Sequence, residues 1–410
     1  MAESIVCRAC KRTNTYAFLP LGDHPPANAF LRKEELSRPE PRFPLDTIAC
    51  LDCGLILVRD QLPADFFTEY LYVPSGSETM KRHFTDFAKA IRDRWISDQT
   101  DRVVDIGCND GLLLKACANL EVATLGVEPA ANIAEMARSQ GLEVFNEYFT
   151  SESAGRIRER WGPAKVIVTT NTFNHIDDLH GFVTGVSTLL ADNGTFIIEV
   201  PEAIKYVEMT EFDTVYHEHL STFTVKSLAD LFDFFGMKIV DIEPLPIHGG
   251  SMRVSARRES FASQGAGVAQ AWIQREREAG LFEKSTYDAV ATRTGEIRTT
   301  LVKMLRQLKE GGAKLAGYGA PAKGNTLLNY CAIGTDLLDF LADRNPLKHG
   351  RYSPGMHIPI LPAEHIAEAS PDYLLILAWN FADEIMTQQA AFQAAGGKFI
   401  LPIPEPRILG

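Results

Sequence analysis

Four residues of this chain stand at spacings that make a metal site. Cys7-Arg-Ala-Cys10 and Cys50-Leu-Asp-Cys53 are two C-x-x-C pairs. A C-x-x-C turn points both sulfurs at one spot, and two such turns supply the four thiolates of a tetrahedral structural zinc ion. With all four ligands from protein the metal would have no open position, so the role expected of Cys7, Cys10, Cys50 and Cys53 is structural. The intervening residues, 11–49, exceed the usual ribbon spacing, so a substantial loop is inserted between the knuckles. Two unrelated pairs, or a redox dithiol, are the competing reading. Cys108, Cys117 and Cys331 read as small buried hydrophobes.

The densest run of proton-handling groups is Tyr216-His217-Glu218-His219. In a loop at the mouth of a sheet these can surround a reacting carbon with an acid, a base and a hydrogen-bond donor. The H-x-H spacing invites a metal, but no third ligand accompanies His217 and His219. A solvated polar turn is the plainer alternative. A second cluster, Tyr70-Leu-Tyr72-Val-Pro-Ser75-Gly-Ser77, reads as a lid offering hydroxyls to a polyol or phosphate, or as an aromatic loop packed on the sheet.

These groups need a frame. Arg102-Val-Val-Asp105-Ile-Gly107-Cys-Asn109-Asp-Gly111 reads as a strand, a tight glycine turn and a helix start, a turn that lets a ligand approach the backbone. A second strand ends at Glu128, 17 residues after Gly111, where a carboxylate can accept from both hydroxyls of a ribose. Further strands fit Glu143–Phe145, leading to Phe149, then Lys165–Thr170, leading to Asn171 and His175, then Gly194–Val200. Alternating strands and helices predict a parallel α/β sheet with its ligand at the carboxyl ends of the strands. The turn lacks the G-x-G-x-x-G spacing that seats a pyrophosphate, which favours S-adenosylmethionine over NAD in this domain. Asp105, Gly107, Asn109, Gly111, Glu128, Phe149 and Asn171 are the expected cofactor-binding residues. Met237–Leu245 and Met252–Ala256 predict a terminal antiparallel hairpin, joined around His248-Gly-Gly-Ser251.

Residues 259–312 read as a helical connector with heptad-like apolar spacing over Glu283–Glu310. A second α/β unit then opens at Lys314-Leu-Ala-Gly-Tyr-Gly-Ala-Pro-Ala-Lys323, where Gly317-x-Gly319-x-x-Ala322 fits the dinucleotide fingerprint. A strand over Leu337–Ala342 leads to Asp343, again at the place of a ribose acid. Lys323 at a helix N-terminus, and the cations of Asp343-Arg-Asn-Pro-Leu-Lys348-His-Gly350, make a nucleotide diphosphate the natural ligand of this crevice. Tyr318 and Asn325 flank it.

The chain has 410 residues and 41 Lys+Arg against 53 Asp+Glu, a net charge of −12. That length predicts two or three domains, placed at 1–68, 69–260 and 261–410. The acid excess excludes a nucleic-acid binder that relies on a broadly basic surface. No apolar run is long enough to span a bilayer, so no membrane is expected. The N-terminus has neither a basic nor an apolar leader segment, which predicts a cytoplasmic protein without disulfides.

Taken together, the chain resembles the sugar C-methyltransferases that act on nucleotide-linked 4-keto-deoxy sugars. The resemblance runs nearly end to end. It rests on the paired C-x-x-C module, Ile106-Gly-Cys-Asn-Asp-Gly111, Phe212-Asp-Thr-Val-Tyr-His-Glu-His-Leu220, His248-Gly-Gly-Ser251, Gly317-Tyr-Gly-Ala-Pro-Ala-Lys-Gly-Asn-Thr-Leu-Leu-Asn329, Asp343-Arg-Asn-Pro346 and Pro354-Gly-Met-His-Ile-Pro359. It implies a zinc-binding N-terminal module, a central Rossmann-like S-adenosylmethionine domain, and a Rossmann-like C-terminal domain that helps hold a nucleotide-diphosphate 4-keto sugar. It also implies His219 as the base that forms an enolate, Glu218 and Tyr216 as assistants, and active-site positions for His175 and Tyr72. Substrate contacts are expected from Tyr70, Ser75, Ser77, Tyr318, Lys323, Asn325, Asp343 and Lys348. Thr222 departs from the family, whose members often carry an aromatic residue there. An NAD-dependent nucleotide-sugar oxidoreductase using the C-terminal glycine turn is the alternative, although no hydride-transfer constellation accompanies that turn. With its site between its own domains the chain is expected to act as a monomer.

Overall fold

The structure is a computed structural model that describes residues 5–59, 62, 77–247, 249–262, 265 and 267–410. Tyr70, Tyr72, Ser75 and His248 lie outside the described residues. Three sheets organise the described residues.

The first is a four-stranded antiparallel sheet in the order β1 (Thr15–His24), β2 (Phe43–Cys50), β3 (Ile56–Val58) and β9 (Ser221–Thr222). Its last strand is borrowed from the middle of the chain, with Ile56 opposite Thr222 and Leu57 opposite Ser221. The residue read as a family departure, Thr222, is therefore a pairing position between the cysteine module and the central domain.

The second sheet has seven strands. Five are parallel: β4 (Arg102–Ile106), β5 (Ala123–Val127), β6 (Val144–Phe145), β7 (Ala164–Thr170) and β8 (Leu190–Pro201). The hairpin of β10 (Met237–Leu245) and β11 (Ser251–Arg258) adds antiparallel to β8, giving the order β10-β11-β8-β7-β4-β5-β6. Alternation along the strands builds two cores. Val103, Val166, Val168 and Ile197 face α1 (Glu78–Trp95), which buries Met80, Phe84, Phe87, Ala88 and Ile91 at helical spacing. Val104, Ile106, Ile167, Phe196 and Ile198 face the other way, onto Ile157, Phe182, Val186, Leu228 and Leu231. Strand order reverses between β4 and β7, so the loops after those two strands open one crevice.

The third sheet repeats the scheme: β12 (Leu315–Tyr318), β13 (Leu341–Asp343), β14 (Ile360–Pro362), β15 (Tyr373–Ile376), β16 (Lys398–Leu401) and antiparallel β17 (Arg407–Leu409), in the order β14-β13-β12-β15-β16-β17. The strand read over Leu337–Ala342 is shorter than its apolar run, because Leu337 and Leu338 both donate to Gly334 O in a turn. The connector is two helices, Val268–Glu278 and Lys284–Glu310. Among the described residues no helix is long and apolar enough to cross a membrane.

Candidate active site and metal centre

Cys7, Cys10, Cys50 and Cys53 meet with all four sulfurs within 4.8 Å of one another. Cys7 Sγ lies 3.6 Å from Cys53 Sγ, and Cys10 Sγ 3.6 Å from Cys50 Sγ. Tetrahedral Zn–S bonds of about 2.3 Å place sulfurs about 3.8 Å apart, so the cluster has the dimensions of a zinc site. Each knuckle closes on its first cysteine: Lys11 N–H donates to Cys7 O, and Gly54 N–H to Cys50 O. Both turns pass through a left-handed residue, at Lys11 and Gly54. Four buried thiols this close hydrogen-bond one another. Those bonds, with burial, push Cys7 and Cys53 up and hold Cys10 down, a split that a bound dication removes by favouring thiolate at every position.

The crevice at the reversal of strand order is formed by the loops after β4 and β7. Gly107 has φ +75°, and a Cβ there would overlap the Thr172 hydroxyl, so only glycine lets the two loops touch. Gly111, at φ +82°, lies as tightly against Leu142. Asn109 and Asn171 are also left-handed, and Asn171 N–H donates to Glu199 O at 2.8 Å. Glu128 accepts from Asn109 N–H at 3.1 Å and Ala130 N–H at 2.9 Å, and each oxygen retains an acceptor lone pair. Burial pushes its carboxyl up. Phe149 lies half-buried against Phe182 and Gly185. Asp105 is buried near the end of β4. It is 2% exposed, its Oδ1 has no hydrogen-bond partner among the described residues, and burial, with Glu128 and Glu199 nearby, pushes it up to about 8. Glu199 beside it is also fully buried. There His83, at 2.8 Å, and Arg253, at 2.6 Å, more than offset burial and hold the carboxyl below its usual range. A buried carboxyl that stays protonated for want of a cation gains by ionising beside a cofactor that brings positive charge, as S-adenosylmethionine does through its ammonium and sulfonium.

The acid–base cluster sits next to this crevice. The His175 ring stands edge-on to the His219 ring, centroids 4.8 Å apart. His175 is pushed down to about 4 by burial, against the hydrogen bond its ring N–H gives the Asn171 carbonyl, so it is neutral at pH 7. His219 Nδ1 faces Thr214 O at 3.0 Å, which makes Nδ1 the donor and leaves Nε2 to accept from the Tyr216 hydroxyl. Glu218 is 7% exposed and pushed up to about 7 by burial, against the pull of Asn28. The Asn28 amide contacts both Glu218 oxygens at 2.8 Å. Asn28 belongs to the loop inserted between the knuckles and was not foreseen; nothing in its local sequence marks it. His217 points away from the cluster to Pro44 O, at 3.1 Å, where it ties the loop to β2. Among the described residues the cysteine cluster is the one gathering of metal-ligating side chains.

In the C-terminal crevice the residues expected at the substrate also make contacts within the chain. Asp343 accepts from Ala320 N–H and Asn345 N–H, both at 2.7 Å. Lys348 is 7% exposed and donates to Ala320 O at 2.7 Å with Phe30 beneath it, and burial pushes its ammonium down. His349 bonds Asp343 O at 2.8 Å, and His357 bonds Glu40 at 2.5 Å. Of the cations read in this segment, Lys348 and His349 bond carbonyls of the C-terminal unit itself, while Arg344 is exposed. Lys323 lies 3.9 Å over the Trp379 ring beside Glu211 and Asp213, and burial pushes its ammonium down against those two carboxylates. Trp379 Nε1–H donates to Asp213 at 2.7 Å. Asn325 donates to Ala27 O at 2.7 Å. The Tyr318 hydroxyl lies 3.5 Å from Gln388. Ser77 caps α1, accepting from Met80 N–H at 3.4 Å.

Strand order, an uncompensated acid in the crevice, and an acid–base cluster at its rim define a methyltransferase that uses S-adenosylmethionine. Family models match in three consecutive stretches: a domain described as zinc-binding over 7–67, a methyltransferase domain over 78–242, and a C-methyltransferase C-terminal domain over 246–404. The chain is 35% identical over 404 residues to the C-methyltransferase NovU of Streptomyces niveus, covering 98% of this chain and 96% of that protein. It belongs to this C-methyltransferase family, with S-adenosylmethionine as cofactor and a zinc-binding cysteine cluster. The match over 246–404 sets aside the oxidoreductase alternative for the C-terminal unit. A ubiquinone biosynthesis O-methyltransferase of Caulobacter sp. (strain K31) is 34% identical over 101 residues, 24% of this chain and 39% of that protein. Among solved structures, magnesium protoporphyrin IX methyltransferase (ChlM) from Synechocystis PCC 6803 with bound SAH is similar at a TM-score of 0.37 and 10% identity, covering 47% of this chain and 97% of that one.

Proposed function

We propose that the chain methylates carbon 3 of a nucleotide-linked 4-keto-deoxy sugar through an enolate. The observation that carries this reading is the Tyr216–His219 pair, placed edge-on to His175 in a loop whose Thr172 touches the cofactor turn. When bound, S-adenosylmethionine supplies an electrophilic methyl group. The chain supplies the rest. A hydrogen α to a ketone is acidic enough for a positioned base. His219 takes that proton at Nε2, directly or through the Tyr216 oxygen, while Thr214 O holds Nδ1–H in the required tautomer. The C–H electron pair passes to the ketone oxygen as an enolate, for which Tyr216 or protonated Glu218 is the donor. Carbon 3 then forms its bond to the methyl as the S–C bond breaks. Neutral His175 packs the ring of the base without competing for its proton. Tyr72 and the hydroxyls of the 70–77 segment are the proposed contacts to the sugar. Tyr318, at the end of β12, is proposed on the nucleotide side. Lys323, Asn325, Asp343 and Lys348 orient that domain rather than touch phosphate.

The test is incubation with S-adenosylmethionine and a panel of nucleotide 4-keto sugars, read by mass spectrometry for the gain of one methylene. In D2O without cofactor, the carbon-3 hydrogen is expected to exchange. His219→Asn is expected to abolish both exchange and methylation while S-adenosylhomocysteine binds as in wild type. Near-normal turnover in that variant removes His219 from the role.

A further inference from the structure

The residue that follows the first zinc ligand makes contacts no knuckle requires. A zinc site of four cysteines asks nothing of the second position of C-x-x-C beyond a turn. Yet Arg8 turns inward, 9% exposed, and spends its guanidinium on three separate segments. Nε donates to Asp177 Oδ1 at 2.9 Å, Nη1 to Leu220 O at 2.8 Å, and Nη2 to Val58 O at 2.8 Å. Asp177 lies two residues past His175. Leu220 follows His219 directly. Val58 ends β3, the strand that pairs with β9. The neighbouring Ala9 O accepts from His180 Nε2 at 2.9 Å, a second tie to the segment after His175.

Geometry explains why the residue is arginine. Its planar fork holds several acceptors at fixed angles, whereas a lysine would reach one and swivel. Burying the guanidinium is costly unless its N–H groups are met, so three bonds fix it in place, and it in turn fixes what it bonds. The two imidazoles meet edge-on, with centroids 4.8 Å apart, from loops that are otherwise anchored in different strands.

We infer that Arg8 is a positioning residue: the zinc knuckle sets, through this guanidinium, the relative placement of the His175 and His219 loops. The inference rests on the reading that puts both imidazoles at the reacting carbon. The metal's structural role then extends to the geometry of the reaction, since a loosened knuckle releases both loops together.

The experiment uses the full-length zinc-loaded protein. Arg8→Met keeps the apolar stem and removes the three donors. Zinc per chain, S-adenosylhomocysteine affinity, and the imidazole NMR signals of His175 and His219, assigned from His175→Asn and His219→Asn, are measured together. The expected result is retained zinc, unchanged affinity, both imidazole signals displaced, and their partial return when guanidinium ion is added. Turnover of the nucleotide keto sugar is expected to fall by about 10²-fold with KM unchanged. Were no sugar of the panel methylated even by wild type, the imidazole signals alone would decide, so failure of the substrate reading does not mask failure here. Zinc and affinity retained with both signals at their wild-type positions overturns the inference. Should Arg8→Met lose zinc, Asp177→Ala, outside the knuckle, removes one arm. The His175 signal is then expected to move with zinc retained, and an unmoved signal overturns the inference equally.

Discussion

Gly107 and Gly319 occupy the same place in two sheets of the same kind, each just after the first strand at the reversal of strand order. Each is followed by a helix, and in each unit an acid at the end of the next strand accepts from a loop N–H: Glu128 from Asn109, Asp343 from Ala320. The likeness ends there. Among the described residues both crevices hold buried carboxylate oxygens without a hydrogen-bond partner, but Asp105 Oδ1 of the central unit has the acids Glu128 and Glu199 near it, whereas Glu211 Oε1 and Asp213 Oδ1 stand beside Lys323. In the C-terminal unit the helix begins after Pro321, which has no N–H to offer an anion, and Lys348 bonds the turn itself. The crevice there also receives Glu211 and Asp213 of the central domain beside Lys323 and Trp379. One glycine turn is lined by acids, and the other has cations of the chain itself beside it, Lys348 on the turn and Lys323 next to two carboxylates. A sheet topology therefore allows a site without creating one.

The comparison breaks most sharply at Gly107. Gly107→Ala drives a methyl group into Thr172 and adds strain at positive φ. S-adenosylhomocysteine affinity, measured calorimetrically, is expected to fall more than about 100-fold, because both loops of the crevice must part. Affinity within a few-fold of wild type would mean the cofactor does not lie on this turn.

Lys323→Met attacks the other side of the comparison. It leaves Glu211 and Asp213 buried without their cation. Removing one member of such a buried group costs about 3–5 kcal/mol. Burial already pushes Glu211 up to about 8 and Asp213 to about 6, above their values in the unfolded chain. A raised carboxyl pKa stabilises the fold below the unfolded pKa, and that contribution is lost as pH rises through the folded value. The deficit of Lys323→Met in urea unfolding should accordingly grow from pH 5 to pH 8. A deficit independent of pH would mean the carboxylates are not what Lys323 serves.

Asp105 yields a smaller and more specific effect. With its carboxyl pushed up to about 8, it is largely protonated at pH 6 and must ionise to face a cation. Cofactor affinity is expected to rise with pH from 6 to 8, by up to about tenfold per unit, and to level off above. Asp105→Asn should remove that slope and leave affinity near the low-pH value. A wild-type affinity flat across this range would take Asp105 out of contact with the cofactor's charge.

What the sequence displays of all this divides along a physical line. Features that one stretch of chain determines were legible. The Val103-Val104 run closing on Gly107, the C-x-x-C knuckles and the hairpin around residue 250 each carry their own turn chemistry or periodicity. Boundaries moved where a turn competed, as at Gly334, which shortens the strand before Asp343. Features set by packing between distant segments were not legible. Asn28 lies 190 residues from the Glu218 it holds, and β9 is two residues long, with a partner strand in another module. Lys323 and Lys348 fit an anion site by residue type, and only the third dimension places Lys323 over Trp379 beside two carboxylates and Lys348 on Ala320 O. A local motif fixes what a backbone can offer, while the neighbours decide whether the offer remains open.

The mildest expected change tests that division directly. Gly319 is left-handed at φ +83°, as Gly107 is at +75°, so sequence and backbone angle alone assign the two glycines equal importance. Their surroundings differ. A Cβ at Gly319 would stand 3.3 Å from the Ala378 Cβ and 3.4 Å from Pro321 Cδ, close but able to relax. Gly319→Ala should then carry little more than the conformational strain of a left-handed alanine, about 1–2 kcal/mol in chemical denaturation. S-adenosylhomocysteine affinity should not change, because the turn serves no cofactor, and the wild-type protein should gain no thermal stability from NAD. A loss of cofactor affinity in Gly319→Ala, or a rise in melting temperature with NAD, would show the second turn to be a ligand site after all and would erase the distinction between the two units.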